Sequence, residues 1–278
     1  MSILHSKTQE LLESLAFEAE GVIGIHAIDP LEPDDEFAVN ADEIFPTASI
    51  IKIPILLEFY NQVADGTINK DEEHILRETY KVGGTGVLQH LTDKTRVILE
   101  DWAKLMIILS DNTATNYLID LVGMKYVNNL LEGLGIEKTR LLRKMQATQI
   151  DPNEVENLST PRELSTLLMM IMNHDGLDEN VCENTLTILK ISKDGIICDA
   201  LPKDYVVADK SGWMGGVECD SGIIYAEKPY IATIMAKNIP EWDRNALETK
   251  EIMKQAVAAI HDYFTNKATA SKYGRRRR

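Results

Sequence analysis

The chain has 278 residues, of which 44% are hydrophobic and 26% are charged, a composition that excludes wholesale disorder. Its net charge of −15 argues against a nucleic-acid partner, because phosphate backbones are bound by clusters of Lys and Arg. The longest apolar runs fall well short of the roughly 20 residues that a bilayer-crossing helix needs, so we expect no membrane span.

Four C-terminal arginines, residues 275–278, mask part of this negative charge. Without them, 25 basic and 44 acidic side chains remain, a net charge of −19 over residues 1–274. A basic tail of this kind either binds polyanions or is a remnant of expression, and the sequence leaves both interpretations open. In both cases the rest of the chain is strongly acidic.

Cysteine use and the N-terminus bear on the cellular compartment. The three cysteines cannot pair completely and show no C-x-x-C spacing, so we expect buried free thiols at Cys182, Cys198 and Cys219. The N-terminal stretch is polar and acidic, whereas a signal peptide is basic and then apolar. As written, the sequence predicts a cytoplasmic protein; removal of a leader before expression would make it secreted or periplasmic.

The predicted elements place strands on both sides of a helical block. Apolar spacing predicts a helix over residues 6–19, a buried strand over 21–29, and a return strand that begins at 37–39. Helical patterns then follow almost without interruption, over residues 49–64, 96–109, 112–122, 124–134, 161–173 and 178–191. Strand patterns return over residues 205–208, 222–226 and 230–236, and a last helix covers 248–264.

This order predicts an α/β (α+β) fold. An antiparallel sheet with flanking helices is built from the N- and C-terminal segments, and an all-helical domain is inserted between them. We expect the sheet domain to cover residues 1–45 and 200–265, the helical domain 46–199, and a tail 266–278. Ligand sites commonly lie where two domains meet.

The first candidate for chemistry is Ser49, followed three residues later by Lys52 at the start of a predicted helix. At this spacing the two side chains share a helix face, where a neutral amine can take the proton of a serine hydroxyl. The helix N-terminus also offers backbone N–H groups to a developing oxyanion. The alternative is an ordinary N-cap serine beside a solvated lysine.

Two further motifs occur later in the chain. Ser110-Asp111-Asn112 falls between two predicted helices, and Lys210-Ser211-Gly212 falls at the end of a predicted strand. Each has a simpler interpretation, a capping turn for the first and a strand-end turn for the second. These simpler interpretations do not account for the joint occurrence of S-x-x-K, S-D-N and K-S-G in this order.

The set resembles the penicillin-recognising serine hydrolases, specifically class A β-lactamases. The resemblance extends from about residue 21 to 264 and includes the segments 84–88, 157–161 and 222–225. It implies that Ser49 is the acylated nucleophile, that Lys52 is its proton acceptor or part of the proton relay, and that Ser110 passes a proton toward the leaving nitrogen.

The same resemblance implies a substrate-binding set. Asn112 would bind the amide side chain of the substrate, Lys210 would supply positive field, and Ser211 would bind the carboxylate. Gly212 and Trp213 would complete the set, with the backbone N–H groups of Ser49 and Trp213 forming the oxyanion hole. The indole of Trp213 either faces the substrate or packs in the core.

Two features depart from the family pattern. The glutamate that activates the deacylating water is not recognisable, and the candidates are Asp151, Glu154 and Glu156, which otherwise form a solvated acidic loop. Where many class A enzymes carry an arginine for the substrate carboxylate, this chain has Asp220, which we expect to repel an anion.

The leading hypothesis is a hydrolase that opens a β-lactam amide through an acyl-serine intermediate. The alternatives are a related penicillin-binding, peptidase or esterase-like hydrolase that accepts acyl-peptides or esters, and a β-lactam-binding sensor without turnover. The six histidines show no metal-ligand spacing, so we expect no metal and no cofactor. We also expect a monomer.

Overall fold

The computed structural model describes residues 2–145, 155–191, 194–240 and 244–275. The helices in these ranges are α1 (Ile3–Glu18), α2 (Lys52–Ala64), α3 (Leu99–Ile108), α4 (Asn112–Val122), α5 (Met124–Gly133), α6 (Pro161–Asn173), α7 (Glu179–Leu189), α8 (Ile196–Ala200) and α9 (Arg244–Arg275). The strands are β1 (Val22–Asp29), β2 (Glu32–Val39), β3 (Phe45–Pro46), β4 (Glu73–Ile75), β5 (Arg96–Ile98), β6 (Leu158–Ser159), β7 (Val206–Met214), β8 (Val217–Tyr225) and β9 (Tyr230–Lys237).

The main sheet has five strands in the order β2-β1-β9-β8-β7, and all neighbouring strands are antiparallel. The first two strands come from the N-terminus and the last three from the C-terminal part of the chain. The sequence-based fold class is therefore confirmed. Strands β1, β8 and β9 are buried along almost their whole length, whereas the acidic β2 is largely exposed, as suits an edge strand.

The described residues divide into two compact units. Unit 1 comprises residues 1–50, 159–169 and 193–278, and unit 2 comprises residues 51–158 and 170–192. The first nine of the thirteen residues of α6 thus belong to the unit with the sheet, whereas the sequence analysis placed the whole helix in the helical domain. The reason is a set of sheet contacts: the hydroxyl of Ser165 donates to the Thr233 hydroxyl at 2.8 Å and to the His26 carbonyl at 3.3 Å.

The core of unit 1 lies on one face of the sheet, beneath α1, α8 and α9. Leu12 of α1 and Val257 of α9 are fully buried against Ile25 and Ile234 of the central strands. Ile25 and Ile234 alternate along their strands with side chains on the opposite face of the sheet, since successive strand residues point to opposite faces. Burial of this apolar stripe explains why the two distant chain ends form one sheet.

Unit 2 is built around α2, which is buried on nearly all sides. Residues 53–57 are all apolar and Glu58 after them is also buried, as in a helix that runs through a core rather than over a surface. Trp102 of α3 and Leu118 of α4 are completely buried in the same unit. The predicted helices over 112–122 and 161–173 agree with α4 and α6 to the residue.

Several segments differ from their sequence-based assignment, among them the following three. Residues 96–98 pair with β4 instead of starting a helix, β7 continues to Met214, and residues 266–275 continue α9 instead of forming a tail. In the first two cases cross-strand pairing overrides local propensity. Within the described ranges, no helix combines the length and hydropathy needed to cross a membrane.

Candidate active site

Ser49 lies in a 3-10 turn, Ala48–Ile51, that runs directly into α2. The residue before it, Ala48, has a φ of +44°, a backbone conformation that costs a non-glycine residue about 1 kcal/mol or more. Such strain persists only where the surrounding structure over-determines it. The turn places half-buried Ser49 one helical turn before Lys52.

Lys52 is completely buried, and its Nζ atom faces the second motif. It donates hydrogen bonds to the Ser110 carbonyl at 2.8 Å and to the Asn112 Oδ1 at 3.2 Å. A third contact joins Lys52 Nζ to the Ser110 Oγ at 2.9 Å. The structure thus brings Lys52, Ser110 and Asn112 together within unit 2, although the last two lie about 60 positions from the lysine in the chain.

The Ser110-Asp111-Asn112 segment forms the predicted turn between α3 and α4. Asp111 is the N-cap of α4: its side chain accepts a hydrogen bond from the Ala114 N–H at 2.9 Å. Its second carboxylate oxygen accepts the Leu88 N–H at 2.8 Å. Ser110 has a φ of +50°, so here too a non-glycine residue is held in the left-handed region beside the candidate chemistry.

Thr85 is a site residue that the sequence analysis did not find. Its hydroxyl donates to the Ser110 carbonyl at 2.6 Å and approaches the Asn112 Oδ1 at 3.4 Å. These are the same two acceptors that Lys52 uses. In the sequence, Thr85 stands between two glycines of the segment 84–88. Nothing in that pattern indicates a contact with the distant S-D-N motif.

Lys210, Ser211 and Gly212 lie inside β7, not at its end as predicted. Lys210 is 2% exposed, and its Nζ donates to the Ser211 carbonyl at 2.6 Å. Burial lowers the pKa of Lys210, and the nearby carboxylates of Asp220 and Asp209 work in the opposite direction. Lys210 is therefore a buried amine with acidic side chains of the same unit nearby.

Gly212 packs against the backbone of the Ser49 turn. A Cβ atom at Gly212 would lie 2.6 Å from the Ser49 nitrogen and 3.1 Å from the Thr47 oxygen. Only glycine permits this approach. Since β7 is an edge strand of the sheet, alternate N–H groups along it are not taken up by sheet pairing. Unit 1 therefore brings the Ser49 N–H close to the β7 backbone that continues into Trp213.

Trp213 follows Gly212 in β7, and its side chain is 65% exposed. This excludes the interpretation of the indole as a core residue. The tertiary structure leaves an aromatic face accessible at the end of the strand that carries the K-S-G motif.

Asp220 differs from its predicted behaviour. We expected it to repel an anionic substrate, but it is completely buried opposite Ser211, and its Oδ2 accepts the Ile197 N–H at 2.8 Å. Burial, together with the charge of Asp209, raises the pKa of Asp220 well above its ordinary value. Its Oδ1 has no hydrogen-bond partner among the described residues, which also disfavours a charged form.

The raised pKa predicts that Asp220→Asn stabilises the protein at alkaline pH. The folded state holds the proton on Asp220 more tightly than the unfolded chain, so wild-type stability falls as the pH rises from the unfolded-state pKa, near 3.8, through the raised folded-state pKa. Asparagine cannot ionise and keeps that stability. We expect a melting temperature about 2–4 °C above wild type at pH 8, with the two proteins converging toward pH 4.

The matched control for this experiment is Asp199→Asn, because Asp199 is exposed on α8. Thermal unfolding followed by circular dichroism at both pH values measures the effect. If Asp220→Asn melts below wild type at every pH, the carboxyl group is ionised in the folded state and the assignment is wrong.

The structure describes one of the three candidates for a deacylating base. Asp151 and Glu154 lie outside the described residues. Glu156 is ion-paired with Arg143: two guanidinium nitrogens contact its carboxylate at 2.8–3.1 Å. Both oxygens of this carboxylate are thus engaged by the guanidinium group of Arg143.

The remaining titratable groups show no sign of metal chemistry within the described ranges. No group of three or more His, Cys, Asp or Glu side chains there is placed to hold a metal ion. The three cysteines, all within the described ranges, form no disulfide and are buried, as predicted.

The sequence profile of the β-lactamase enzyme family matches residues 5–264. The chain therefore belongs to this family of hydrolases, in agreement with the resemblance carried by the motifs.

Solved structures extend this relationship. A β-lactamase from Sphaerobacter thermophilus DSM 20745 is 28% identical, with a TM-score of 0.81 and 95% of each chain covered. The structure of PBP-A is 26% identical, with a TM-score of 0.83, and the match covers 94% of this chain and 97% of that one. An ancestral class A β-lactamase is 22% identical, with a TM-score of 0.81 over 92% of this chain and 99% of the other, and shares the fold.

Proposed function

We propose that this protein is a serine hydrolase of the class A β-lactamase type, which opens β-lactam amides through an acyl-enzyme on Ser49. The observation that carries the proposal is the position of Lys52. This buried amine lies one helical turn after Ser49, and its Nζ is 2.9 Å from the Ser110 hydroxyl. A neutral amine one turn after the first serine and in contact with the hydroxyl of the second can take a proton from the first and return it through the second.

The acylation step follows from this arrangement. With Lys52 in its neutral form, its lone pair accepts the proton of the Ser49 hydroxyl while the Ser49 oxygen attacks the β-lactam carbonyl carbon. The backbone N–H groups of Ser49 and Trp213 stabilise the negative charge that develops on the carbonyl oxygen. The proton then passes from Lys52 through the Ser110 hydroxyl to the lactam nitrogen as its bond to the carbonyl carbon breaks.

Asn112 would bind the substrate through its amide nitrogen. Its Oδ1 already accepts a hydrogen bond from Lys52, and its Nδ2 donates to the Gly83 carbonyl at 3.2 Å. An amide nitrogen carries two hydrogens, so one further donor is available to a substrate carbonyl. Lys210 and Ser211 of β7 would bind the substrate carboxylate.

A second candidate is a penicillin-binding hydrolase that is acylated but releases the product slowly. The pairing of Glu156 with Arg143 favours it, because this carboxylate is engaged elsewhere. A mutant of PBP-A, one of the similar structures, forms an acyl-enzyme complex with penicillin G. The two candidates share the acylation step and differ in what activates the deacylating water.

The experiment is incubation with penicillin G, in which drug hydrolysis and intact protein mass are followed together. Turnover with little adduct supports the β-lactamase, and a persistent adduct supports the penicillin-binding type. We expect Ser49→Ala to abolish both signals, while Ser14→Ala, on the exposed part of α1, leaves them unchanged. Absence of hydrolysis and of adduct in wild type would refute the proposed function.

A further inference from the structure

The segment 82–88 contacts the Ser110-Asp111-Asn112 turn at several points within unit 2. The Asn112 N–H donates to the Thr85 carbonyl at 3.0 Å, and the Thr113 hydroxyl exchanges hydrogen bonds with the backbone of Val82. Gly86 has a φ of +104°, and a Cβ atom there would lie 2.2 Å from the Asp111 carboxyl carbon. Backbone groups of the segment 82–88 therefore hold the segment against the Ser110-Asp111-Asn112 turn.

One side chain of the segment reaches the proton-transfer groups themselves. The Thr85 hydroxyl donates to the Ser110 carbonyl at 2.6 Å, and Lys52 donates to the same oxygen at 2.8 Å. A carbonyl oxygen has two lone pairs, so both donors can bind it at once. The Asn112 Oδ1 is likewise approached by both groups, at 3.4 Å and 3.2 Å.

This sharing matters because Lys52 must change its protonation state. An ammonium group has three N–H donors, and a neutral amine has two and a lone pair. When Lys52 gives up a donor to act as a base, its hold on the surrounding oxygens weakens. Ser110 meanwhile has a φ of +50°, a conformation that relaxes unless neighbouring groups hold it.

We propose that Thr85 is a positioning residue of the acylation site, whose hydroxyl holds the Ser110 carbonyl and the Asn112 amide in place while Lys52 gains and loses its proton. The proposal rests on the proposed function, in which Lys52 and Ser110 transfer the proton. The acceptors of the Thr85 hydroxyl, the Ser110 carbonyl and the Asn112 Oδ1, are distinct from the two atoms that exchange that proton. The effect of Thr85 is to keep the Ser110 carbonyl and the Asn112 Oδ1 in the same positions throughout the reaction.

The test compares Thr85→Val, which removes the hydroxyl at nearly constant volume, with Thr85→Ser, which retains it. Stopped-flow measurement at several penicillin G concentrations separates the dissociation constant of the first complex from the acylation rate constant. We expect Thr85→Val to lower the rate constant roughly tenfold, the equivalent of one neutral hydrogen bond. The dissociation constant should change by less than about threefold, and Thr85→Ser should restore most of the rate.

The matched control is Gln89→Ala. The Gln89 side chain donates to the carbonyls of Gly84 and Gly86, so it holds the same segment through acceptors other than those of Thr85. We expect the acylation rate constant of this variant to stay near that of wild type. A wild-type rate constant in Thr85→Val, or an equal loss in Gln89→Ala, would overturn the positioning role.

A second measurement does not depend on activity. The Asp111 backbone nitrogen shares a peptide group with the Ser110 carbonyl, so its amide NMR resonance reports the hydrogen bond from Thr85. We expect this resonance to move in Thr85→Val and in Thr85→Ala, and to return toward wild type in Thr85→Ser. If wild type forms no adduct, the proposed function fails; an unmoved Asp111 resonance overturns the Thr85 contact in either case.

Discussion

Replacement of Lys52 by alanine is expected to slow acylation of Ser49 by penicillin G by about a thousandfold. The alanine side chain cannot take the serine proton, and it leaves the Ser110 hydroxyl without its amine neighbour at 2.9 Å. The measurement is the rate at which intact mass shows the adduct, at substrate concentrations that saturate the first complex. An adduct that forms at a near-normal rate in Lys52→Ala would refute the assigned role.

Lys52→Arg is the informative companion variant. Arginine keeps the positive charge and the donors but does not lose its proton at any accessible pH, so it cannot act as a base. If Lys52 serves only as a fixed cation, arginine should retain much of the rate. We expect both variants to be slow, and a melting curve for each shows whether the buried site still folds.

Gly212→Ala is the second change with a large expected effect. The added methyl group would lie 2.6 Å from the Ser49 nitrogen and 3.1 Å from both the Ile50 nitrogen and the Thr47 oxygen. All three are backbone atoms, which cannot move aside as a flexible side chain can. The β7 strand or the Ser49 turn must shift, and the donors assigned to the oxyanion would separate.

We expect Gly212→Ala to lower the acylation rate constant by roughly 100- to 1,000-fold, the range seen when one oxyanion donor is lost. The matched control is Gly133→Ala in α5, where a Cβ atom meets nothing within 4 Å. That variant should acylate normally and be slightly more stable, because alanine favours the helix. Wild-type acylation in Gly212→Ala would mean that the contact has no catalytic consequence.

The local elements were predictable because their signals lie within a few residues. The start of α4 at Asn112 follows from Asp111 as an N-cap, and the sheet strands follow from their apolar runs. The end of β7 was not predictable, since Gly212 looks like a turn residue until its pairing with Cys219 is known. The fold class needed only the order of these elements along the chain.

Tertiary contacts changed the interpretation of individual carboxyl groups. By sequence Asp220 is expected to repel an anionic substrate, and Glu156 is either a candidate deacylating base or part of a solvated acidic loop. In the structure Asp220 is buried with a raised pKa, and Glu156 is paired with Arg143. Charge and pKa depend on burial and on neighbours that are distant in the chain, so no local pattern contains them.

The sequence by itself determined which residue types could carry the chemistry and in which order they occur. A serine is followed by a lysine one turn later, then come S-D-N and K-S-G. The sequence also determined the acidic character of the chain and the two groups of strands. Only the tertiary structure decided that Lys52 contacts Ser110 and that Thr85 shares its acceptors. The physical reason is range: propensity and periodicity act over a few residues, whereas these hydrogen bonds join segments 25 to 58 positions apart.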